Sequence, residues 1–138
     1  MLSGFCFNHT APCLLLVLSV SLSFPFVLSQ NLILRACLIS KIEGVAHLHA
    51  LQKLELYDNQ IGAIASVETL VNLTTLDLSF NCIRSMAPVS TCCPLLEELY
   101  IAQNKLRKIE GLEGLTRLRV LDLGANRIRV SEAVMCAG

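Results

Sequence analysis

The feature that most constrains the fold is an apolar pattern that recurs about every 22 residues. In "LQKLELYDNQI", residues 51–61, three leucines are followed by Asn59 and Ile61. The same slots recur in "LTTLDLSFNCI" from residue 73, "LEELYIAQNKL" from residue 96 and "LRVLDLGANRI" from residue 118, in steps of 22, 23 and 22 residues. A poorer copy, "SQNLILRACLI" from residue 29, has Cys37 in the asparagine slot. A fixed period of this length predicts a stack of similar units.

The spacing within one unit predicts its geometry. Alternation sends Leu54 and Leu56 to one face of a short strand, while Glu55 and Tyr57 point to the other. Stacked copies then give a parallel sheet whose leucines fill the interior, because one unit alone cannot bury its apolar face. The asparagine comes where the chain leaves the strand, so its carboxamide can pair with backbone groups that would otherwise be buried and unsatisfied. We predict that this amide is structural.

A unit of the form LxxLxLxxNxIxxIxxLxx is the leucine-rich repeat. We therefore predict an α/β fold, a right-handed solenoid of about five repeats with a short parallel sheet on its concave face, over residues 30–138. The copy from residue 118 should continue with an apolar residue at 131, but the chain has Ser131 there. Since terminal repeats normally carry a polar outer face, we expect the array to be incomplete at both ends.

Residues 1–29 are an uncharged leader of apolar residues and serines with no repeat register, and we expect them to lie outside the solenoid. Residues 14–20 are long enough for the apolar core of a secretory signal, although no Lys or Arg precedes them. Pro25 and several serines interrupt the run, which disfavours a membrane span of ~20 apolar residues. Leu, Ser, Phe and Pro can be encoded almost entirely by pyrimidines, as is typical of the end of an intron. The leader therefore also fits a translated intron end, and the genuine exon would then begin near Gln30 or Asn31.

Charge and composition exclude several functional classes. The 11 basic and 11 acidic residues balance, and no run of Lys or Arg exists, so we predict no binding to nucleic acid. An odd number of cysteines outside the leader, with an adjacent pair and no CxxC spacing, disfavours zinc and favours free thiols in a reducing compartment. The chain has no glycine-rich phosphate loop, no nucleophile elbow and no Ser–His relay. We predict that it is not an enzyme and needs no metal or cofactor.

The outward strand positions are the predicted binding surface. Four of them lie between the two strand leucines of successive copies and form a column of three acidic residues and one tyrosine. Three more lie just beyond the strands and add two aromatic residues and one aspartate. The predicted partner-binding residues are Glu55, Tyr57, Asp58, Asp77, Phe80, Tyr100 and Asp122. Exposed acid alone is usually a solvated face, but exposed rings are enriched at interface cores. The combination favours a protein partner with a basic or mixed groove.

The segments "LYDNQI", "LDLSFN", "KIEGLEGLTRL" and "LDLGANRIR" resemble the regulatory subunit 7 family of protein phosphatase 1, over about residues 30–130. The resemblance implies a non-catalytic subunit of nucleus and cytoplasm whose concave face holds the phosphatase catalytic subunit. By position, Asp77, Tyr100 and Asp122 match the family's contact row, and Glu55 lies in line with it. Cys37, Ser131 and the extra residue in "STCCP" depart from the family pattern.

Two alternatives stay open at this point. Axonemal dynein light chains, spliceosomal leucine-rich proteins and tubulin-folding factors share the same repeat, so the chain could be a ciliary or spliceosomal adaptor. Alternatively, if residues 1–29 are a real signal peptide, it would be a secreted or surface leucine-rich recognition protein. The N-x-T sequons at Asn8 and Asn72 would then be candidate glycosylation sites. Contact with a membrane is expected only if the leader is genuine.

Overall fold

The structure, a computed structural model, describes the backbone of residues 2–5 and the backbone and side chains of residues 30–129. Its regular elements are six short strands and one helical turn. They are β1 (Leu2–Phe5), β2 (Asn31–Arg35), β3 (Lys53–Glu55), β4 (Thr75–Asp77), α1 (Val89–Cys92), β5 (Glu98–Tyr100) and β6 (Val120–Asp122). The strands form one sheet in the order β1-β2-β3-β4-β5-β6, and every neighbouring pair is parallel. The predicted leucine-rich solenoid is confirmed.

The register of the sheet places equivalent residues of successive copies side by side. Leu54 pairs with Leu76, Leu76 with Leu99, and Leu99 with Leu121. In the central strands these leucines are fully buried. Each therefore contributes roughly 1.5–3 kcal/mol of burial. The leucine period thus fixes both the order and the register of the strands.

Strand β1 is an addition that the repeat pattern did not predict. Its four residues pair in parallel with β2, with Leu2 opposite Leu32 and Phe5 opposite Arg35. The remainder of the leader, Met1 and residues 6–29, lies outside the described residues and includes the apolar run at 14–20. The predicted boundary between residues 29 and 30 therefore stays a prediction.

The returning segments complete the interior mostly with turns. Among residues 30–129, α1 is the one helix, and it is four residues long. It lies where the step between copies is 23 residues instead of 22. Cys93 N donates to Val89 O at 3.1 Å, which closes this turn, and both Cys92 and Cys93 are buried. The extra residue in "STCCP" is thus accommodated by one helical turn.

Neighbouring returning segments approach each other closely at Gly111. Its backbone has φ +71°, and a Cβ there would lie 2.6 Å from both Ala87 Cα and Met86 O. Gly114, three residues later, also has positive φ but would have nothing within 4 Å of a Cβ. The glycine at 111 is therefore required by packing as well as by conformation.

The side of the sheet at β6 is open among the described residues. Leu121 is 37% exposed, and Ile109 is 55% exposed although it occupies the slot that Ile64 and Met86 fill as buried residues. The sequence pattern had placed Ile109 in the interior. The copy from residue 118 pairs with this one through β6, but its returning segment, with Ser131 in the slot that matches Ile109, lies outside the described residues.

Candidate protein-binding face

The outer face of the sheet is supported from inside by a ladder of asparagine side chains. Asn81 Oδ1 accepts a hydrogen bond from Ile61 N at 2.9 Å, and Asn81 Nδ2 donates to Leu56 O and Leu78 O, each at 3.0 Å. One amide therefore joins its own copy to the preceding copy. Since each partner is a buried backbone group that the sheet does not satisfy, the predicted structural role of the amide is confirmed.

The other copies repeat this arrangement. Asn104 Oδ1 accepts from Ile83 N at 2.9 Å and Asn126 Oδ1 from Leu106 N at 3.1 Å. Asn59 Oδ1 accepts from both Cys37 N and Ile39 N, at 3.1 and 2.9 Å. The amide of the second copy thus serves the first copy, where Cys37 stands in the asparagine slot.

The residue before each asparagine slot has a left-handed backbone conformation, which the sequence pattern did not reveal. These residues are Ala36, Asp58, Phe80, Gln103 and Ala125, with φ between 52° and 57°. Such a conformation costs a non-glycine residue roughly 1–2 kcal/mol. Backbone bonds hold it in place, since Asp58 N donates to Ser79 O and Phe80 N to Ala102 O. The turn leaves the side chains of Asp58 and Phe80 exposed at the edge of the sheet.

The residues of the predicted acidic column lie side by side on neighbouring strands. Asp77 pairs with Tyr100 and Tyr100 with Asp122 across β4, β5 and β6. Asp77 Oδ1 accepts from Ser79 N and Asp122 Oδ1 from Gly124 N, both at 2.9 Å. Each carboxylate therefore uses one of its oxygens to hold its own strand end.

Tyr100 lies between the two aspartates and is half-buried. Its hydroxyl donates to Glu98 Oε2 at 3.4 Å. Partial burial raises the pKa of Tyr100, and the carboxylates of Glu98 and Asp77 raise it further. The phenol is thus held as a neutral donor within an acidic surface.

Glu55 lies in the same column but is closed off from solvent. It is only 5% exposed, because Arg35 and Lys53 cover its carboxylate. Arg35 Nε donates to Oε2 at 2.9 Å, its Nη2 contacts the same oxygen, and Lys53 Nζ lies 2.6 Å from Oε1. Burial alone would raise the pKa of Glu55, but the hydrogen bonds and charges of the two cations outweigh it and lower the pKa. This carboxylate is already paired within the chain.

The aromatic residues that the sequence placed beyond the strands are brought together. The ring centroids of Tyr57 and Phe80 are 4.9 Å apart and tilted by 50°. The Arg35 guanidinium carbon lies 6.0 Å from the Tyr57 ring centroid, within range of a cation–π contact. Phe80 is 44% exposed. The rings form an exposed edge beside the acidic column, and Asp58 extends it.

The predicted residues therefore fall into two groups, the column and the aromatic edge. Sequence reasoning missed the cations that close Glu55. The signal was present, because Arg35 and Lys53 occupy strand slots adjacent to Glu55 in the repeat alignment.

Within residues 30–129, no three His, Cys, Asp or Glu side chains lie close enough together to hold a metal ion. Over the same residues, no helix has the length and apolar character needed to cross a membrane.

Comparison with known proteins agrees with this architecture. The model of the leucine rich repeat family matches residues 72–128, and a model of two leucine rich repeat copies matches residues 49–91. Two internalins of Listeria monocytogenes are similar in structure. Internalin InlF is 28% identical, with TM-score 0.71 over 79% of this chain and 32% of the other. Internalin C2 is 25% identical, with TM-score 0.73 over 87% of this chain and 51% of the other. The chain is a leucine-rich repeat protein.

Two relatives come from Arabidopsis thaliana. A curated relative named protein phosphatase 1 regulatory inhibitor subunit PPP1R7 homolog is 39% identical over 108 residues, 75% of this chain. The match covers 33% of that relative's length. A chain of the BIR3–SERK2 complex is 30% identical, with TM-score 0.59 over 69% of this chain and 55% of the other. The chain thus resembles a phosphatase regulatory subunit across its repeats while spanning about a third of it.

Proposed function

We propose that this protein is a non-catalytic binding module that regulates protein phosphatase 1 and holds its catalytic subunit on the concave face. The similarity to the regulatory-subunit homolog, 39% identity over 75% of the chain, is the observation that carries the proposal. The geometry supports it, since Asp77, Tyr100 and Asp122 form a continuous row of outward residues. An acidic row with a central ring suits a partner with basic side chains.

The residues of the face have different roles in this proposal. Asp77, Tyr100 and Asp122 contact the partner directly. Tyr57, Asp58 and Phe80 add a second contact at the edge. Glu55 is a partner-binding residue in the sequence prediction, but its carboxylate is paired with Arg35 and Lys53. We expect Glu55 to act by holding these two cations in position at one end of the row.

The size of the face predicts weak binding. Five rungs about 4.8 Å apart, each contributing about 17 Å of strand, give roughly 300 Å². A standard interface buries roughly 800 Å² per partner. The complex with this chain alone should therefore be transient, and an equilibrium method suits it better than a washed pull-down.

Biolayer interferometry with the immobilised 138-residue chain and the phosphatase 1 catalytic subunit in solution tests the proposal. We expect saturable binding. The triple variant Asp77→Ala, Tyr100→Ala, Asp122→Ala should bind at least about tenfold more weakly, since the few residues that dominate an interface cluster near its centre and cost about 2 kcal/mol or more when truncated. Circular dichroism checks that the variant is folded.

A matched control separates the concave row from general charge. The double variant Glu68→Ala, Glu113→Ala removes two carboxylates from exposed positions of the returning segments. It should bind like the unsubstituted chain. Equal affinity of the triple variant and the unsubstituted chain would refute the role of the row, and absence of binding by the folded chain would refute the phosphatase assignment.

We also propose residence in the nucleus and cytoplasm. Among the described residues, Cys82, Cys92 and Cys93 form no disulfide, which supports a reducing compartment. Burial raises the pKa of Cys93 to about 12, with further contributions from Cys92 and Glu68. This thiol is therefore unreactive. Imaging of the tagged full chain checks the location.

The secreted alternative keeps one supporting observation. Asn72, in the second sequon, is exposed, although its Nδ2 donates to His49 O at 2.8 Å. Secreted material with a glycan on Asn72 and cleavage after Ser29 would favour that alternative over the intracellular proposal. Intracellular material without a glycan would favour the phosphatase regulator or another intracellular adaptor.

A further inference from the structure

A second surface lies on the returning side of the solenoid, directly after each asparagine slot. After Asn126 the chain alternates, so that Ile128 packs against the core while Arg127 and Arg129 are exposed. The corresponding outward pairs in the five copies, in chain order, are Leu38 and Ser40, Gln60 and Gly62, Cys82 and Arg84, Lys105 and Arg107, and Arg127 and Arg129. At these paired positions the positive charge therefore rises along the stack, from none in the first two copies to one in the third and two in each of the last two.

Backbone hydrogen bonds hold the last two of these copies side by side. Arg127 N donates to Leu106 O at 2.9 Å, and Arg129 N donates to Arg107 O at 3.2 Å. The side chains of Arg107, Arg127 and Arg129 line one shared cavity of about 260 Å³. We call this the basic cavity.

The three arginines of the basic cavity have no carboxylate partner within residues 30–129. The ion pairs there join Arg35 and Lys53 to Glu55, and Lys108 to Glu110. Adjacent unpaired guanidinium groups repel one another and favour a counter-anion. Each guanidinium presents a planar fork of donors that matches the oxygens of a phosphate or carboxylate.

We propose that the basic cavity binds the phosphate monoester of a phosphorylated protein segment. A phosphate monoester carries about −1.5 to −2 charge and three strong acceptor oxygens, whereas one carboxylate would leave two of three guanidinium groups uncompensated. Nucleic acid fits less well, because its single strands bind through bases stacked on aromatic rings. Tyr57 and Phe80 lie at the edge of the concave face and Tyr100 lies within it, and none of them lines the cavity. This second site does not depend on phosphatase binding.

Fluorescence anisotropy with the full chain tests the proposal. The probes are a labelled glycine–serine heptapeptide with one central phosphoserine, its unphosphorylated form, its glutamate form, and a labelled single-stranded oligonucleotide. We expect the phosphopeptide to bind at least about tenfold more tightly than the other three. Arg127→Ala should weaken phosphopeptide binding about tenfold, the loss expected for one charged hydrogen-bonding partner.

Arg117→Ala is the matched control, since Arg117 is exposed, carries the same charge and does not line the cavity. It should leave phosphopeptide affinity unchanged. Three results would overturn the proposal. These are equal losses in Arg117→Ala and Arg127→Ala, equal binding of the glutamate peptide and the phosphopeptide, and tighter binding of the oligonucleotide. None of these measurements involves the phosphatase, so the two proposals fail separately.

Discussion

The interior and the concave face of the same strands differ in how much they vary. In β3, β4, β5 and β6 the interior residue is leucine each time, and the asparagine that follows is also constant. The neighbouring outward residue is Glu55, then Asp77, Tyr100 and Asp122. The interior residue must fit the same space in every copy, because the register places identical positions against one another. The outward residue meets solvent and adjacent side chains, so its chemistry is free to change.

This freedom does not make every outward residue available to a partner. Asp77 and Asp122 use one carboxylate oxygen for a local backbone bond, whereas both oxygens of Glu55 are engaged by cations. The same position of the repeat therefore carries a carboxylate paired with two cations at Glu55 and carboxylates without such cations at Asp77 and Asp122. The difference comes from Arg35 and Lys53 and not from the slot itself.

The largest effect is expected in the interior. Asn81→Ala removes the acceptor for Ile61 N and the donor to Leu56 O and Leu78 O. Buried groups left without a partner cost about 1–3 kcal/mol each, so the free energy of unfolding should fall by at least about 3 kcal/mol. Urea unfolding followed by circular dichroism measures it.

Asn72→Ala is the control for this substitution, because Asn72 is exposed and makes one hydrogen bond, to His49 O. Its cost should stay below about 1 kcal/mol. If Asn72→Ala and Asn81→Ala lower the free energy of unfolding by similar amounts, the interior amide has no special role. The proposed difference between the interior and the outer face would then be wrong.

An intermediate effect is expected at Glu55. Glu55→Gln keeps the shape of the side chain and removes the charge between Arg35 and Lys53. Because both cations remain half-exposed, the loss in the free energy of unfolding should be about 1–2 kcal/mol. Glu43→Gln, at an exposed site, should change it by less than about 0.5 kcal/mol. If Glu55→Gln and Glu43→Gln have the same free energy of unfolding, the ion pairs of Glu55 with Arg35 and Lys53 do not stabilise the fold.

The pH dependence sharpens the same point. The pKa of folded Glu55 is lowered from its ordinary value of 4.5, so its contribution is present above the unfolded pKa. That contribution is lost as pH falls through the folded pKa. The stability gap between the unsubstituted chain and Glu55→Gln should therefore be full at pH 7 and shrink below pH 4.5. Urea unfolding at a series of pH values checks it, and a gap that widens on acidification would contradict the ion-pair assignment.

The smallest effect is expected at Tyr100. In Tyr57→Phe, Tyr100 is the remaining tyrosine, so ultraviolet titration reports it alone. Its pKa should lie above the ordinary value of 10.0, because of partial burial and the carboxylates of Glu98 and Asp77. Adding Asp77→Asn should lower it, while Glu43→Gln in the same background should not. An equal response to both substitutions would show that Tyr100 senses only net charge.

Much of the fold follows from the spacing of residues along the chain. The 22-residue period predicts parallel strands, aligned leucines and a structural amide, since each depends on residues within one copy and on its stacking. The pairing of β1 with β2 was not predictable, because residues 2–5 carry no repeat register. The outward column could be read from alternation, but the exposure of each member could not.

The sequence by itself determined the repeated interior, because leucine and asparagine have one place where their burial and hydrogen bonding can be satisfied. Only the tertiary structure decided which outward groups meet. Arg35 and Glu55 are 20 residues apart, and Tyr57 and Phe80 are in different copies, yet they are in contact. The basic cavity likewise joins two copies, so no local run of charge reveals it. Contacts between copies depend on side-chain direction and packing, and these are fixed only when the copies stack.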